Sequence, residues 1–198
     1  FPYVNVNDNG RPLSFPPAAY VANTYMRKLN STIAGVYNWT VAAGSEDGRI
    51  LGIANVEMDF TEDDSIQMYA MGANPIVYAK NKGFYIDTEW TALRTPLSSL
   101  SYLHAREVLI DLENDLYLML LKYQWKFNTS ANRAKIKREA DEICQKYVDR
   151  SGLYAYRNVI DETNNTPTLI DNQFGLLETY VEITKAMGII VNVINVMA

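Results

Sequence analysis

One cysteine and one histidine in 198 residues remove most familiar site chemistry at the outset. With Cys144 alone, neither an intrachain disulfide framework nor a thiolate metal cluster can form. With His104 alone, no site can be built from paired imidazoles. No run approaches the ~18 uncharged apolar residues of a membrane-spanning helix, which excludes such a helix. Cations are also in the minority, 18 Lys and Arg against 23 Asp and Glu, giving a net charge of −5 and a pI near 4.9. That balance argues against binding a nucleic-acid backbone, which wants clustered Lys and Arg. What is present is globular: 48% hydrophobic residues exclude wholesale disorder. The length suits one ordinary domain, or one domain with a small appendage.

The chain opens Phe1-Pro2-Tyr3 with no methionine and no signal-peptide pattern, as a processed precursor or a piece of a longer polypeptide would, and a piece is the favoured reading. Residues 1–17 carry Pro2, Pro12, Pro16 and Pro17 around Asn7-Asp8-Asn9-Gly10 and read as an extended leading segment. Tyr20, Val21, Thr24, Tyr25 and Lys28 then repeat at three- and four-residue spacing, predicting a helix over 18–29. Residues 31–51 read as loop with short strands. The acidic stretch 61–64 leads into a short helix over 65–72, and 76–78 with 84–86 read as a hairpin around Lys80-Asn81-Lys82-Gly83.

The second half is more strongly patterned. Leu103, Leu109, Ile110, Leu116, Met119 and Leu120 predict a long, substantially buried helix over 100–125. Thr129 or Ser130 can cap the next helix, on which Ile136, Ala140, Ile143, Cys144 and Tyr147 form a narrow apolar stripe. Gly152 then suits the left-handed end of that helix. Residues 153–161, 176–184 and 189–197 read as three strands. The last is apolar on both faces (Ile189, Val191 and Val193 against Ile190, Ile194 and Val196) and carries no charge from Gly188 to Ala198. A strand of that kind must be covered by something.

Catalytic readings are weak. A lone helical His104 reads as packed or surface rather than as a base, and no G-x-S-x-G elbow accompanies it. Cys144 reads as core. Glu62-Asp63-Asp64 lacks the ligand spacing and glycine of a calcium loop and reads as a solvated loop. Carboxylate pairs remain open, Asp161 with Asp171 among them, so an acidic α+β hydrolase is the alternative from another class. The N-x-S/T tripeptides at Asn30, Asn38, Asn128 and Asn164 carry little without a secretory context. Asp161-Glu162-Thr163-Asn164-Asn165-Thr166-Pro167 is the densest polar motif. Its Asn and Asp side chains suit a fixed turn between strands, and Pro167 suits the start of a short helix.

That motif, with Gly152-Leu153-Tyr154 before it and Ile170-Asp171 after it, resembles the end of contractile phage tail sheath proteins, the T-even type in particular. Their last domain carries a D-x-x-N-N-T-P-x-x-I-D stretch. Pro16-Pro17-Ala18-Ala19-Tyr20-Val21-Ala22, Ala73-Asn74-Pro75-Ile76 and Ser101-Tyr102-Leu103-His104-Ala105-Arg106-Glu107 resemble further family segments in the same order. Two departures stand out. The family's paired arginines are Arg106-Glu107 here, and the stretch before its final strand, Thr184-Lys185-Ala186-Met187, lacks proline.

The resemblance implies an α+β fold of helices on a small β-sheet, with extended terminal arms that exchange strands between subunits. It implies a leading segment over 1–17, an inner C-terminal sheath domain over 18–187 and an arm strand over 188–198, the piece being the inner part of a larger subunit. The signature loop is Asp161, Asn164, Asn165, Thr166, Pro167 and Asp171. The arm is Ile189, Ile190, Val191, Val193, Ile194 and Val196. Lys185, Arg133, Lys137 and Arg138 are candidates to face a tail tube. The implied role is a structural subunit, without cofactor or metal, in hexameric rings around a tail tube of a virion assembled in the host cytoplasm. The implied partners are sheath subunits of the same and adjacent rings, the tube protein, and baseplate and terminator proteins at the ends, with no nucleic acid and no membrane insertion. The sheath of a phage-tail-like bacteriocin or injection system is the close alternative.

Overall fold

Asn9 and Gly10 both take positive φ, 51° and 87°, which matches the twist of a two-residue hairpin turn. The turn joins β1 (Val4–Asp8) to β2 (Arg11–Phe15) in antiparallel register, Val4 opposite Phe15. The leading segment, read as extended, is a hairpin of two paired extended strands. The computed structural model describes residues 3–31, 36–58, 60–93 and 98–188. The chain forms two units, one from Phe1–Asn30, Val41–Pro96 and Lys185–Ala198, the other from Ser31–Thr40 and Leu97–Thr184.

In the first unit β1 also pairs with β3 (Asn55–Val56), giving the order β2-β1-β3. Helix α1 (Ala18–Leu29) has the predicted bounds and turns Val21, Thr24 and Lys28 inward. Helix α2 (Glu62–Ala70) starts earlier than expected. Thr61 and Asp64 form a reciprocal capping box, so the acidic stretch read as a solvated loop is the first turn of a helix. Strands β4 (Ile76–Ala79) and β5 (Gly83–Ile86) form the expected hairpin. Val4, Val21, Ile50, Val56, Ile76 and Ile86 make the core of this unit. The Asn74 amide holds both backbone groups of Trp90, accepting its N–H at 2.6 Å and donating to its carbonyl at 2.9 Å.

In the second unit a 3-10 turn (Ser99–Ser101) precedes α3 (Leu103–Leu121). This helix stops short of Trp125 because the chain tightens beyond it, Lys122 N–H bonding to Met119 and Tyr123 N–H to Leu120. Thr129 caps α4 (Ser130–Asp149) by accepting the Asn132 N–H at 3.2 Å. At its other end Gly152 N–H reaches the Tyr147 carbonyl and Ser151 N–H the Val148 carbonyl, a Schellman closure. The left-handed residue there is Ser151, at φ 59°, not Gly152. Gly152 serves space instead: a Cβ would stand 3.1 Å from Trp39 Nε1.

Strand β6 (Leu153–Val159) pairs antiparallel with β7 (Glu178–Ile183), and the short α5 (Pro167–Asp171) lies in the loop between them. Trp39 sits between Tyr37 and Tyr147, with centroids at 5.0 and 4.9 Å. Around it Ala105, Val108, Leu112, Leu116 and Met119 of α3 meet Ala140 and Cys144 of α4 and Leu153 and Ile183 of the sheet. Burying each large apolar side chain there contributes about 1.5–3 kcal/mol. The architecture is α+β as expected, with small antiparallel sheets in place of a single one among the described residues. The predicted final strand and its arm residues, Ile189, Ile190, Val191, Val193, Ile194 and Val196, lie outside the described residues.

Candidate functional site

The loop from β6 to β7 is closed by two neighbouring amides. Asn165, 1% exposed, donates from Nδ2 to the Leu176 carbonyl at 2.9 Å and accepts the Leu176 N–H on Oδ1 at 2.8 Å. Its backbone N–H returns to the Asp161 carbonyl at 2.9 Å. Asn164 Oδ1 accepts the Asp161 N–H at 3.0 Å and Asn165 Nδ2 at 2.8 Å. Asn164 Nδ2 donates to the Val159 carbonyl at 2.9 Å and reaches Glu178 Oε2 at 3.1 Å, so it touches both strands. Asp161 Oδ1 accepts the Thr163 hydroxyl at 2.5 Å and its N–H at 2.9 Å. These two bonds, the hydroxyl first, hold the Asp161 carboxyl below its ordinary range. Thr166 is the N-cap of α5 and Pro167 its first residue, while exposed Asp171 is its last. Asp161 works as a turn-fixing acceptor.

The four candidate cations are not equivalent. Lys137, Arg138 and Lys185 are exposed. Arg133 is buried at the start of α4, with its guanidinium donating to Asn128 Oδ1 at 2.9 Å and Glu162 Oε1 at 2.6 Å. Asn128 in turn donates to the Phe174 carbonyl at 3.0 Å. Arg133 therefore ties the α3–α4 connection to both ends of the signature loop. Glu162 is held below its usual range first by its own backbone N–H and then by Arg133.

Sequence reasoning missed Asn158. Buried on β6, it donates to Asp141 Oδ1 at 2.9 Å and accepts the Thr179 hydroxyl at 2.7 Å, joining α4, β6 and β7. The signal was a lone amide among apolar and aromatic strand residues. Cys144 is fully buried and Asn158 also reaches its Sγ at 3.6 Å; burial pushes the thiol above its ordinary range. His104 is buried in the first turn of α3, with Nε2 3.3 Å from the Thr184 carbonyl. Cys144 read as core in the sequence and His104 as packed or surface; both are buried.

Strands β6 and β7 each have a single strand partner among the described residues, so each keeps one unpaired edge. One face of this ribbon lies on α4, through Asn158 and Tyr156, while Tyr154 and Tyr180 are about half exposed, with Arg157 over the Tyr180 ring at 4.7 Å.

Comparison with known proteins agrees with the sequence resemblance. The chain is 28% identical over 153 residues, 77% of its length, to the tail sheath protein of Vibrio phage KVP40, and covers 22% of that protein. It is 24% identical over 190 residues, 96% of its length, to the tail sheath protein of Enterobacteria phage T4, covering 28% of it. Among solved structures, the helical sheath of the anti-feeding prophage in its contracted state superposes with a TM-score of 0.82. That match is at 16% identity, over 98% of this chain and 54% of the other. No protein-family model matches. The fold is thus that of a contractile-sheath domain, and the resemblance to the contractile tail sheath family holds in sequence and in structure alike. The chain spans about a quarter of the length of the curated relatives it matches.

Proposed function

We propose that the chain is the inner, C-terminal part of a contractile sheath subunit, a structural rather than an enzymatic component. Subunits assemble as hexameric rings around a tail tube, and contraction of the stack drives the tube through a bacterial envelope. The observation that carries this reading is the β6–β7 ribbon, with one edge of each strand unpaired among the described residues, in a chain whose last eleven residues carry no charge. A neighbour's Ile189, Ile190, Val191, Val193, Ile194 and Val196 supply the missing strand, main chain to edge, with their side chains buried on both faces. At ~25 cal/mol per Å², burying several such side chains is worth on the order of 5–10 kcal/mol before ordering costs. A contact of that size outlasts a large rotation of the subunit bodies.

Exposed Lys185, Lys137 and Arg138 are the proposed tube-facing cations, while Arg133, the fourth candidate, is a buried brace held by Asn128 and Glu162. Partners are sheath subunits of the same and adjacent rings, the tube protein, and baseplate and terminator proteins at the ends. The site of action is the tail of a virion assembled in the host cytoplasm. A cell-encoded injector would use the chain in the same way, and the superposition on the anti-feeding prophage sheath favours keeping that reading beside the phage one.

Electron microscopy of the full-length gene product, expressed alone and concentrated, tests the proposal. Hollow tubes of stacked six-fold rings are expected, and a dispersed monomer under all salt conditions would overturn it. Truncation after Met187 should leave the circular dichroism of the fold intact and abolish ring-to-ring assembly. Normal tubes from the truncated protein would sink the arm assignment.

A further inference from the structure

The chain beyond β7 needs a fixed root if it is to act as an arm, and one residue supplies it. Strand β7 ends at Ile183, opposite Leu153 of β6, and the second unit ends at Thr184. Thr184 N–H donates to the Gly152 carbonyl at 3.1 Å, one bond beyond the last strand pair. The Thr184 carbonyl lies 3.3 Å from His104 Nε2. A carbonyl only accepts, so Nε2 is the donor. Both main-chain groups of Thr184 are therefore held, whereas its buried hydroxyl has no hydrogen-bond partner among the described residues. After it Lys185, Ala186, Met187 and Gly188 are all exposed.

The two holds come from different places. Gly152 closes the end of α4 and stands against Trp39. His104, 80 residues from Thr184 in sequence, sits in the first turn of α3, with its ring 5.8 Å from that of Tyr102. The same helix places Ala105, Val108 and Leu112 in the core of the unit. A pull on the chain beyond Thr184 meets the end of a two-stranded ladder. Such a load parts the strand pairs one at a time, starting from Leu153 and Ile183. A bond from α3 to a residue just outside the ladder has to yield before the first pair does.

On the reading of 188–198 as a strand-donating arm, we propose that His104 anchors that arm. It is a positioning residue: it fixes where the chain leaves the second unit and passes load to α3 instead of to the β6–β7 pairs. Changes of arm direction then fall to residues 185–188, and β7 stays seated.

Limited trypsin digestion of the unassembled chain, at concentrations too low for polymerisation, tests the anchor. Cleavage after exposed Lys185 needs residues 181–184 to leave their places, so its rate follows the opening of the Thr184 root. Cleavage after Lys137 or Arg138 needs α4 to open and reports on the rest of the unit. His104→Phe keeps a ring and removes the donor. It should speed release of the 186–198 fragment about fivefold to tenfold relative to cleavage in α4. His104→Gln returns an N–H donor and should stay within about twofold of the parent. A parental ratio in His104→Phe would overturn the anchor. An equal rise at both sites would do the same, as would a His104→Gln chain that behaves like His104→Phe, since each marks packing rather than the bond. The digestion needs no assembly, so its failure is distinct from failure of the arm reading, which the Met187 truncation tests.

Discussion

Asn165 and Leu176 exchange two hydrogen bonds, the amide of one side chain with the main chain of the other, at 2.9 and 2.8 Å. The ten residues between them are closed as if by a strand neighbour, without a strand. The first unit repeats the device, where the Asn74 amide holds the N–H and carbonyl of Trp90. In both cases an asparagine precedes or begins a proline-containing turn, and its two-ended amide satisfies a backbone that leaves regular structure.

Replacing Asn165 by Ala should therefore cost about 1–2 kcal/mol. The Leu176 N–H loses its side-chain acceptor, and the Leu176 carbonyl keeps only the longer bond from Asn164 Nδ2 at 3.3 Å. Urea unfolding followed by tryptophan fluorescence measures the loss. Asn165→Asp should be no better, since it keeps the acceptor but sets a carboxylate against the Leu176 carbonyl. A midpoint unchanged in both variants would show that the amide bridge is dispensable.

The end of α4 yields a pair of opposite outcomes at adjacent positions. Ser151 occupies a left-handed conformation at φ 59°, so Ser151→Gly should stabilise by about 0.5–1 kcal/mol. Gly152→Ala should destabilise by about 1–2 kcal/mol, because its Cβ would meet Trp39 atoms at 3.1 and 3.2 Å and the Tyr147 carbonyl at 3.4 Å. Trp39 is held on both sides by Tyr37 and Tyr147 and has little room to give. Thermal unfolding of the two variants against the parent decides both signs.

Much of this was legible from pattern alone. Helix α1 appeared with its bounds because its apolar spacing and flanking prolines agree, and the β4–β5 hairpin because a Lys-Asn-Lys-Gly turn separates two apolar runs. The Asn-Asn-Thr-Pro loop stood out as dense polar sequence and carried the family resemblance. Pattern could not say which of Ser151 and Gly152 takes the left-handed turn, since the Schellman closure depends on which carbonyls lie free. It could not distinguish Arg133 from Lys137 four residues on, because the Asn128 and Glu162 that bury Arg133 come from other elements. The pairing of Asn158 with Asp141 and Thr179 is likewise a product of three elements meeting. Local spacing carries elements, and tertiary partners decide which polar residues are structural.

The Asp161 carboxylate makes the loop sensitive to acid. Its pKa is lowered from 3.8 by the Thr163 hydroxyl and N–H, so the folded state binds its proton less tightly than the unfolded chain. The contribution is present in full above the unfolded value and is lost as pH falls through the folded one. Between neutral pH and about pH 5 the stability gap between the parent and Asp161→Asn should be constant. Below about pH 4 it should shrink toward zero. Urea midpoints of the two proteins across that range measure it, and a gap that widened on acidification would contradict the assignment.

The four candidate cations separate by what their removal does. Arg133→Ala should lower stability by about 1–3 kcal/mol, because a buried guanidinium that bonds Asn128 and Glu162 is replaced by a void and an unpartnered Asn128 oxygen. Arg133→Lys should recover only part of this, since an ammonium cannot span both acceptors with the planar fork of arginine. Lys137→Ala and Arg138→Ala should leave the urea midpoint unchanged, because both side chains are exposed. If they face a tube, the double variant should still form sheath rings yet bind the tube less well, with a shallower salt dependence. Co-sedimentation of assembled sheath with tube at two ionic strengths reads this directly. A double variant that binds the tube as the parent does would assign Lys137 and Arg138 to plain solvent-facing charge and leave Lys185 as the cation to test next.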